Sequence, residues 1–442
     1  MPKVLIETYG CTLNQADSDI MEGILEGRGF EVARGNYDEN AKKNYDFVIV
    51  NTCTVKKATE QKIRDKLRTM SHLGERLVVT GCMASANRDM IEEVVEEASV
   101  VSTNNVTRIY DVLKELEENG KVRYDDAGRE DKSHYIPVGN SVISRIPVSE
   151  GCLSNCNFCE TKYARGPLNS FSEKLILKAI EMNVRSGAKE IEITSQDIGA
   201  YGADKKTDIA RLVSQASEID GDFRIRIGML NPEHLHKYID GLIEAYKSEK
   251  IYKFIHLPVQ SGSDKVLREM KRHYTIGEFS GYVNELRKKM PEMCIETDLI
   301  VGYPTETDGD FEETIRIVDE LRPTITNISK FGLRPHTEAV KLKQLPGSVI
   351  KERSIRLARM IKRMQQEEFS KFRGRRMRVL LTEVNGSSIT GRTDSYIAVA
   401  VNNVGKESLG KFVDAEIFDN SYACLIGKAF AYSEIQSSRL LR

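Results

Sequence analysis

From residue 3 to residue 332 the chain repeats one pattern, a short apolar β-prone run followed by an amphipathic stretch of helical spacing. Strands separated by helices pair in parallel, so the repetition confines the fold to the α/β class. Over residues 1–135 the runs VLIETYG, DFVIVNT, RLVVTG and SVVST read as strands, with helices around Asp17–Arg28, Ala58–His72 and Asp89–Ala98, the pattern of a doubly wound parallel sheet. The polar stretch Tyr124–Lys132 reads as an exposed linker. From about residue 140 the period lengthens. SRIPVSE, KEIEITSQ, FRIRIG, KFIHLPVQ, IETDLIVG and ITNISKFG then mark six βα units, which fit a partial TIM-like (βα)6 barrel with functional residues where strands end. A long basic helix is expected over Pro346–Arg373, with Ile355, Ala358, Ile361 and Met364 on its apolar side. The tail changes character: RMRVLLTEV, SITGRT, YIAVAVN, KFVDAEIFD and CLIGKAFAY predict a small β-barrel. Three domains are therefore expected, at 1–135, 140–372 and 373–435.

With 40% hydrophobic and 30% charged residues and no low-complexity tract, the composition is that of a globular protein, neither disordered nor fibrous. No membrane span is expected. MPKVLIETYG enters a strand without the basic and apolar regions of a secretory signal, so a cytoplasmic location is expected. There, eight cysteines argue for metal or catalytic use and against a disulfide framework. The formal net charge of −1 gives no global pointer to nucleic acid. Locally, Lys351–Arg378 holds eleven Lys and Arg against three Glu, a concentration suited either to phosphate contact or to a merely solvated helix.

The segment GCLSNCNFCE places Cys152, Cys156 and Cys159 in a CxxxCxxC array just after a strand. A cubane iron-sulfur cluster needs thiolates on corners a few ångströms apart, and one loop can supply three, leaving the fourth iron open. A zinc site is the competing reading, but it would need a fourth ligand, and no His or further Cys stands nearby. Around the same barrel mouth, strand ends offer Gln196 and Asp197, then Gln260, Ser261 and Gly262, then Asp298, Gly302 and Glu306. Taken singly each is ordinary turn chemistry. Recurring on one rim, they are candidates to contact a cofactor.

Three more cysteines stand one per strand end. Cys11 follows VLIETYG, Cys53 follows DFVIVNT and Cys82 follows RLVVTG. The carboxyl ends of parallel strands share one edge, so three thiols distant in sequence are expected to converge on a second cluster; unrelated buried cysteines are the alternative. Cys294 and Cys424 lie in or beside strand-like runs and read as small hydrophobes.

The ordered set ETYGCTLNQADSD, VNTCTV, TGCMA, the CxxxCxxC loop, LPVQSGSDKVLREMKRHYT and TDLIVGYPTET resembles the radical S-adenosylmethionine (SAM) methylthiotransferases over essentially the whole chain. The carboxyl-terminal strands resemble their TRAM domain, an RNA-binding β-barrel. The resemblance implies two 4Fe-4S clusters and SAM as cofactors. Cys152, Cys156 and Cys159 would hold the cluster that cleaves SAM to a 5′-deoxyadenosyl radical, and Cys11, Cys53 and Cys82 the cluster that carries the added sulfur. Family members modify carbon 2 of a hypermodified adenosine beside the tRNA anticodon, or a ribosomal-protein aspartate. After the cluster loop, Thr161, Lys162, Ala164, Arg165, Gly166 and Leu168 resemble the archaeal and eukaryotic branch, which acts on N6-threonylcarbamoyladenosine. Lys162 and Arg165 are expected to contact the threonylcarbamoyl carboxylate or the cofactor. One departure stands out: many members have Arg-Pro-Gly-Thr-Pro where this chain has Arg334, Pro335, His336, Thr337 and Glu338. A monomer acting on tRNA is expected, with a sulfur donor and an electron-donor protein that the sequence leaves unidentified. Competing readings are an isopentenyladenosine or ribosomal-protein methylthiotransferase, and an iron-sulfur RNA-binding redox sensor without chemistry.

Overall fold

The computed structural model describes residues 1–38, 44–54, 57–125, 128–386 and 388–430. Its first unit is a six-stranded sheet in the order Glu31–Arg34, Lys3–Thr8, Phe47–Thr52, Leu77–Gly81, Ser99–Val101, Arg123–Tyr124, parallel at every pairing. Phe47–Thr52 and Leu77–Gly81 are buried at every position, as central strands covered on both faces must be. Chain order reverses between the strand Lys3–Thr8 and the strand Phe47–Thr52, and that switch point is where open α/β sheets bind ligands. The two outermost strands escape the sequence reading because EVAR is polar and Arg123–Tyr124 has only two residues. The helix expected over Asp89–Ala98 is present only as the five-residue helix Arg88–Glu92, with another, Cys82–Ala86, just before it, and a further helix covers Ile109–Asn119.

The stretch expected as an exposed linker is exposed at Asp125, Gly128, Arg129 and Glu130, and its buried last residue closes a clasp. Lys132 is 2% exposed and ion-pairs with Asp17 at 2.8 Å and with Glu150. Arg129 donates to the Pro167 carbonyl and Thr107 donates to Glu130. Residues 126 and 127 of that stretch lie outside the described residues.

The second unit carries the six expected strands, Ile143–Pro147, Glu190–Thr194, Arg224–Ile227, Phe254–His256, Cys294–Val301 and Ile325–Lys330. They form two parallel three-stranded sheets joined through the bridges Ile225–Ile251 and Met229–His256, an open barrel around Ile191, Ile193, Ile227, Leu257, Ile295 and Leu299. The long helix runs Gly347–Ser370. Its buried stripe is Arg353, Leu357, Ile361, Met364 and Phe369, so Ile361 and Met364 lie as expected while Ile355 and Ala358 face solvent. Spacing alone cannot choose between adjacent stripes when Arg353 is drawn inward by Glu306 at 2.6 Å.

The third unit is a closed five-stranded barrel in the order Arg376–Asn385, Ser388–Thr393, Ala398–Asn402, Leu425–Ala429, Phe412–Asn420. The end of the strand expected over 424–432 and the domain end at 431–435 lie outside the described residues. Tyr396 of this barrel packs on Tyr252 and Phe254, each with centroids 4.9 Å away, and Asp394 pairs with Arg224 at 3.2 Å. These partners sit at the starts of the central strands, so the small barrel docks at the end of the (βα)6 barrel opposite its mouth. Cys294 is buried in that interface, while the Cys424 sulfur lies 3.5 Å from Ser421 Oγ in a turn. Among the described residues no helix is long and apolar enough to cross a membrane.

Candidate active site

The loop bearing Cys152, Cys156 and Cys159 follows the first barrel strand and is pinned on every side. Cys152 N–H donates to Gly166 O at 3.1 Å, Lys162 Nζ donates to Leu153 O and Asn155 Oδ1, and Asn157 N–H donates to Met270 O. Ser154 is held by Glu233 and Asn231 at 3.0 Å each. Arg272 reaches in from below: its Nη1 donates to Cys156 Sγ at 3.4 Å, its Nη2 to Pro258 O and its Nε to Tyr274 OH. Burial pushes the Cys152 thiol up to about 12, with the Asp197 carboxylate adding to the effect.

The other three cysteines are gathered by the sheet. Gly10, at φ +114°, lies so close to Cys53 that a Cβ there would stand 3.1 Å from the sulfur, and only glycine permits that approach. At φ +89°, Gly81 presses on Asn51 and Thr52, where the two central strands end side by side. Asn14 Oδ1 is the shared acceptor, 3.6 Å from Cys11 Sγ, 3.8 Å from Cys82 Sγ and 2.9 Å from Arg165 Nη2. Arg165 is fully buried and donates Nε–H to Cys82 Sγ at 3.2 Å, while Asp17 and Glu150 each hold its guanidinium at 2.7 Å. Burial pushes the Cys82 thiol up to about 12 against the opposing pull of that arginine. Burial also works against an ionised Asp17, but Arg165 and Lys132 outweigh it and hold the carboxyl below its usual range.

The two thiol sets adjoin. Thr54, next to Cys53, donates to Glu160, next to Cys159, at 2.6 Å, and Asn87 donates to the same carboxylate oxygen at 3.2 Å. The five-residue helix Thr161–Arg165 leads from Cys159 straight to the arginine on Cys82. Lys162 therefore braces the cluster loop through solvent-exposed contacts, and Arg165, buried, faces the amino-terminal thiols with its donors taken by protein groups.

The other candidates divide. Asp197 is buried beside Cys152: Oδ1 accepts from Gly199 N–H and Asn231 N–H, while Oδ2 has no hydrogen-bond partner and lies 3.6 Å from His234 Nε2. Ser195 Oγ, Gln196 Oε1, His234 Nε2 and Tyr238 OH are likewise buried without a hydrogen-bond partner. Such a group of unsatisfied polar atoms marks where a ligand's polar groups fit. Gln260 sits at φ +69°, bridged by backbone to Leu299, a strained conformation of the kind found at ligand sites. Asp298 pairs with His256 at 2.8 Å and accepts from Asn327 at 3.0 Å. Ser261 Oγ accepts from Ser263 N–H, which makes it a turn residue. Gly262 lacks a side chain because the Thr314 backbone packs against it, and Gly302 because Ile350 does. Glu306 anchors the long helix through Arg353.

Both thiol sets fit an iron-sulfur cluster by their donor chemistry: three sulfurs, a buried arginine on one of them and, at the barrel mouth, unsatisfied polar atoms beside the sulfurs. Among the described residues no three His, Cys, Asp or Glu side chains close on a single metal ion.

Comparison with known proteins places this geometry. A model of the radical SAM superfamily matches residues 146–318, a TRAM domain model matches 370–430, and one described as uncharacterized protein family UPF0004 matches 3–103. An Archaeoglobus fulgidus protein named a probable threonylcarbamoyladenosine tRNA methylthiotransferase is 38% identical over 436 residues, 97% of this chain and 99% of its own. The human threonylcarbamoyladenosine tRNA methylthiotransferase is 30% identical over 450 residues, 98% of this chain and 75% of its own. The chain belongs to the threonylcarbamoyladenosine tRNA methylthiotransferase family. It is a radical SAM enzyme, and membership implies 4Fe-4S clusters and SAM as its cofactors. Among solved structures, the radical SAM methyltransferase TsrM of Kitasatospora setae aligns with a TM-score of 0.57 at 14% identity, over 77% of this chain and 75% of its own. The cobalamin-dependent enzyme OxsB aligns at 0.54 and 13%, over 83% and 56%. At such identity both speak to the fold alone.

For a methylthiotransferase of this family, sequence reasoning passes over Asn14, Asp17, Glu150 and Arg272. Asn14 follows Cys11 by three positions and Asp17 follows Asn14 by three, so helical spacing sets Asn14 beside the cysteine and Asp17 beside Asn14. Arg272 carries no such signal, because more than a hundred residues separate it from Cys156.

Proposed function

We propose that this chain adds a methylthio group to carbon 2 of N6-threonylcarbamoyladenosine beside the tRNA anticodon, acting in the cytoplasm as a monomer. The observation that carries this reading is the back-to-back arrangement of two three-thiol sites bridged by the helix Thr161–Arg165. Cys152, Cys156 and Cys159 would hold one cluster and Cys11, Cys53 and Cys82 the other. When bound, a cubane with an open iron supplies an electron to the sulfonium of SAM at the first site and a place for the transferred sulfur at the second.

The chain's own residues do the rest. Arg272 and Arg165 place a buried positive charge on one sulfur of each set, which favours thiolate over thiol. Asp197, Gln196 and His234, whose buried polar atoms lack partners, would supply hydrogen bonds to the amino and carboxylate groups of SAM. Along the basic segment Lys351–Arg378, Arg353, Arg356, Arg363, Lys371 and Arg373 are paired with carboxylates. Lys351, Arg359, Lys362, Arg375 and Arg376 are exposed and join no ion pair among the described residues, which leaves them for RNA phosphates.

The test is mass spectrometry of nucleosides from tRNA incubated anaerobically with reconstituted enzyme, SAM and a strong reductant. The reading expects 2-methylthio-N6-threonylcarbamoyladenosine. A methylthio group on isopentenyladenosine, a mass gain on a ribosomal protein, or SAM left uncleaved would each replace it.

A further inference from the structure

At the lip of a cleft beside the helices Cys82–Ala86 and Arg88–Glu92, Tyr163 and His336 lie face to face, with ring centroids 3.8 Å apart and planes 6° from parallel. Tyr163 belongs to the helix Thr161–Arg165, two positions before the arginine on Cys82. His336 belongs to the loop after the last barrel strand, and its Nε2–H donates to Ala86 O at 2.8 Å, at the end of the helix that begins with Cys82. The stack is thus fixed on both sides to elements that hold the amino-terminal thiols. Beneath it runs a cleft of about 610 Å³ lined also by Arg64, Arg88, Asp89 and Asn104; Arg88 is taken by Asp125.

Stability does not require this pair. Tyr163 is 57% exposed on a five-residue helix, so its ring buries little area, yet His336 holds it in one orientation with a face open. The fold supplies a need for it. The small carboxyl-terminal barrel docks at the strand starts, and the eight-residue strand Cys294–Val301 alone separates the two ends by roughly 25 Å. RNA gripped there still requires a local contact to set a base at the mouth. The flat aromatic surface and the mixed charges beneath it suit a base more than a phosphate.

We propose that Tyr163 and His336 form a stacking platform for an unpaired nucleobase of the tRNA loop, next to the nucleotide being modified. The inference rests on the tRNA reading above and deepens it by naming a substrate-positioning surface.

The test uses full-length, cluster-loaded protein and an anticodon stem-loop hairpin carrying 2-aminopurine at each unpaired loop position in turn. Wild type should quench the fluorophore strongly at one position, by stacking. In Tyr163→Ala that quenching should disappear and hairpin affinity should fall about tenfold, whereas Tyr163→Phe should keep both. His336→Gly, which removes the second ring and leaves the helix untouched, should weaken the quenching and serves as the deciding variant if Tyr163→Ala loses its iron. Wild-type quenching and affinity in Tyr163→Ala, or in His336→Gly where that variant decides, overturn the platform while leaving the tRNA reading intact. A wild-type protein that neither binds the hairpin nor modifies tRNA overturns both.

Discussion

Cys152, Cys156 and Cys159 come from one loop pinned by its own neighbours, whereas Cys11, Cys53 and Cys82 come from three strand ends that meet only when the parallel sheet has formed. Each set has one buried arginine on one sulfur, but the two arginines are anchored differently. Arg272 is held by a phenol and a carbonyl, neutral groups that leave its charge for Cys156. Arg165 sits in a four-charge cluster with Asp17, Glu150 and Lys132, which offsets its charge and ties the amino-terminal sheet to the barrel. The loop site is thus a local motif with a charge aimed at it, and the second site is a property of the assembled fold. Losing an anchor in the second costs structure before it costs chemistry.

The largest effect should separate the sites by reaction. Cys156→Ala should reduce release of 5′-deoxyadenosine from SAM to background, while Cys82→Ala should keep that release and lose only the methylthio nucleoside; chromatography of both products checks this. Equal loss of deoxyadenosine in the two variants would break the comparison. In the metal-free protein the sites should instead behave alike, because burial holds both Cys82 and Cys152 up to about 12. A raised thiol stays protonated below that value, so alkylation of these two should climb about tenfold per pH unit from pH 7 to pH 10, as read by peptide mass spectrometry. A plateau near pH 9 would show that neither sulfur is held in this environment.

Smaller effects sharpen the contrast between the arginines. Arg165→Ala leaves two buried carboxylates to share Lys132 as their one remaining cation and should cost about 3–5 kcal/mol in denaturant unfolding. Arg272→Ala strands only a phenol and a carbonyl and should cost about 1–3 kcal/mol. Reversed magnitudes would mean that the charge cluster does not join the domains. Smallest of all, Thr54→Val removes one hydrogen bond to Glu160 and should cost about 1–2 kcal/mol by the same measurement, with Asn87 still in place.

The parallel sheet was legible because its central strands Phe47–Thr52 and Leu77–Gly81 are apolar runs ending at Thr or Gly, and the two barrels because strands such as Glu190–Thr194 and Arg224–Ile227 carry Ile at alternate positions. The strand Glu31–Arg34 was not, since an edge strand buries too little to read as apolar. Lys132 looked like linker because charge normally means exposure, and only the fold reveals the two carboxylates waiting for it. Ile355 and Ala358 were placed on the wrong stripe because the inward arginine at 353 looked polar. The cysteines stood out by spacing and by position after strands. Their supporting residues did not: Arg272, His336 and Glu150 act across long sequence separations, where periodicity carries no information.

The central claim is that six thiolates form two separate cluster sites. Iron and acid-labile sulfide, counted per chain after anaerobic reconstitution, test it most directly. Two cubanes predict about eight of each in wild type and about four in either triple variant, Cys11→Ala/Cys53→Ala/Cys82→Ala or Cys152→Ala/Cys156→Ala/Cys159→Ala. About four irons in wild type, unchanged by removing the amino-terminal three cysteines, would contradict it.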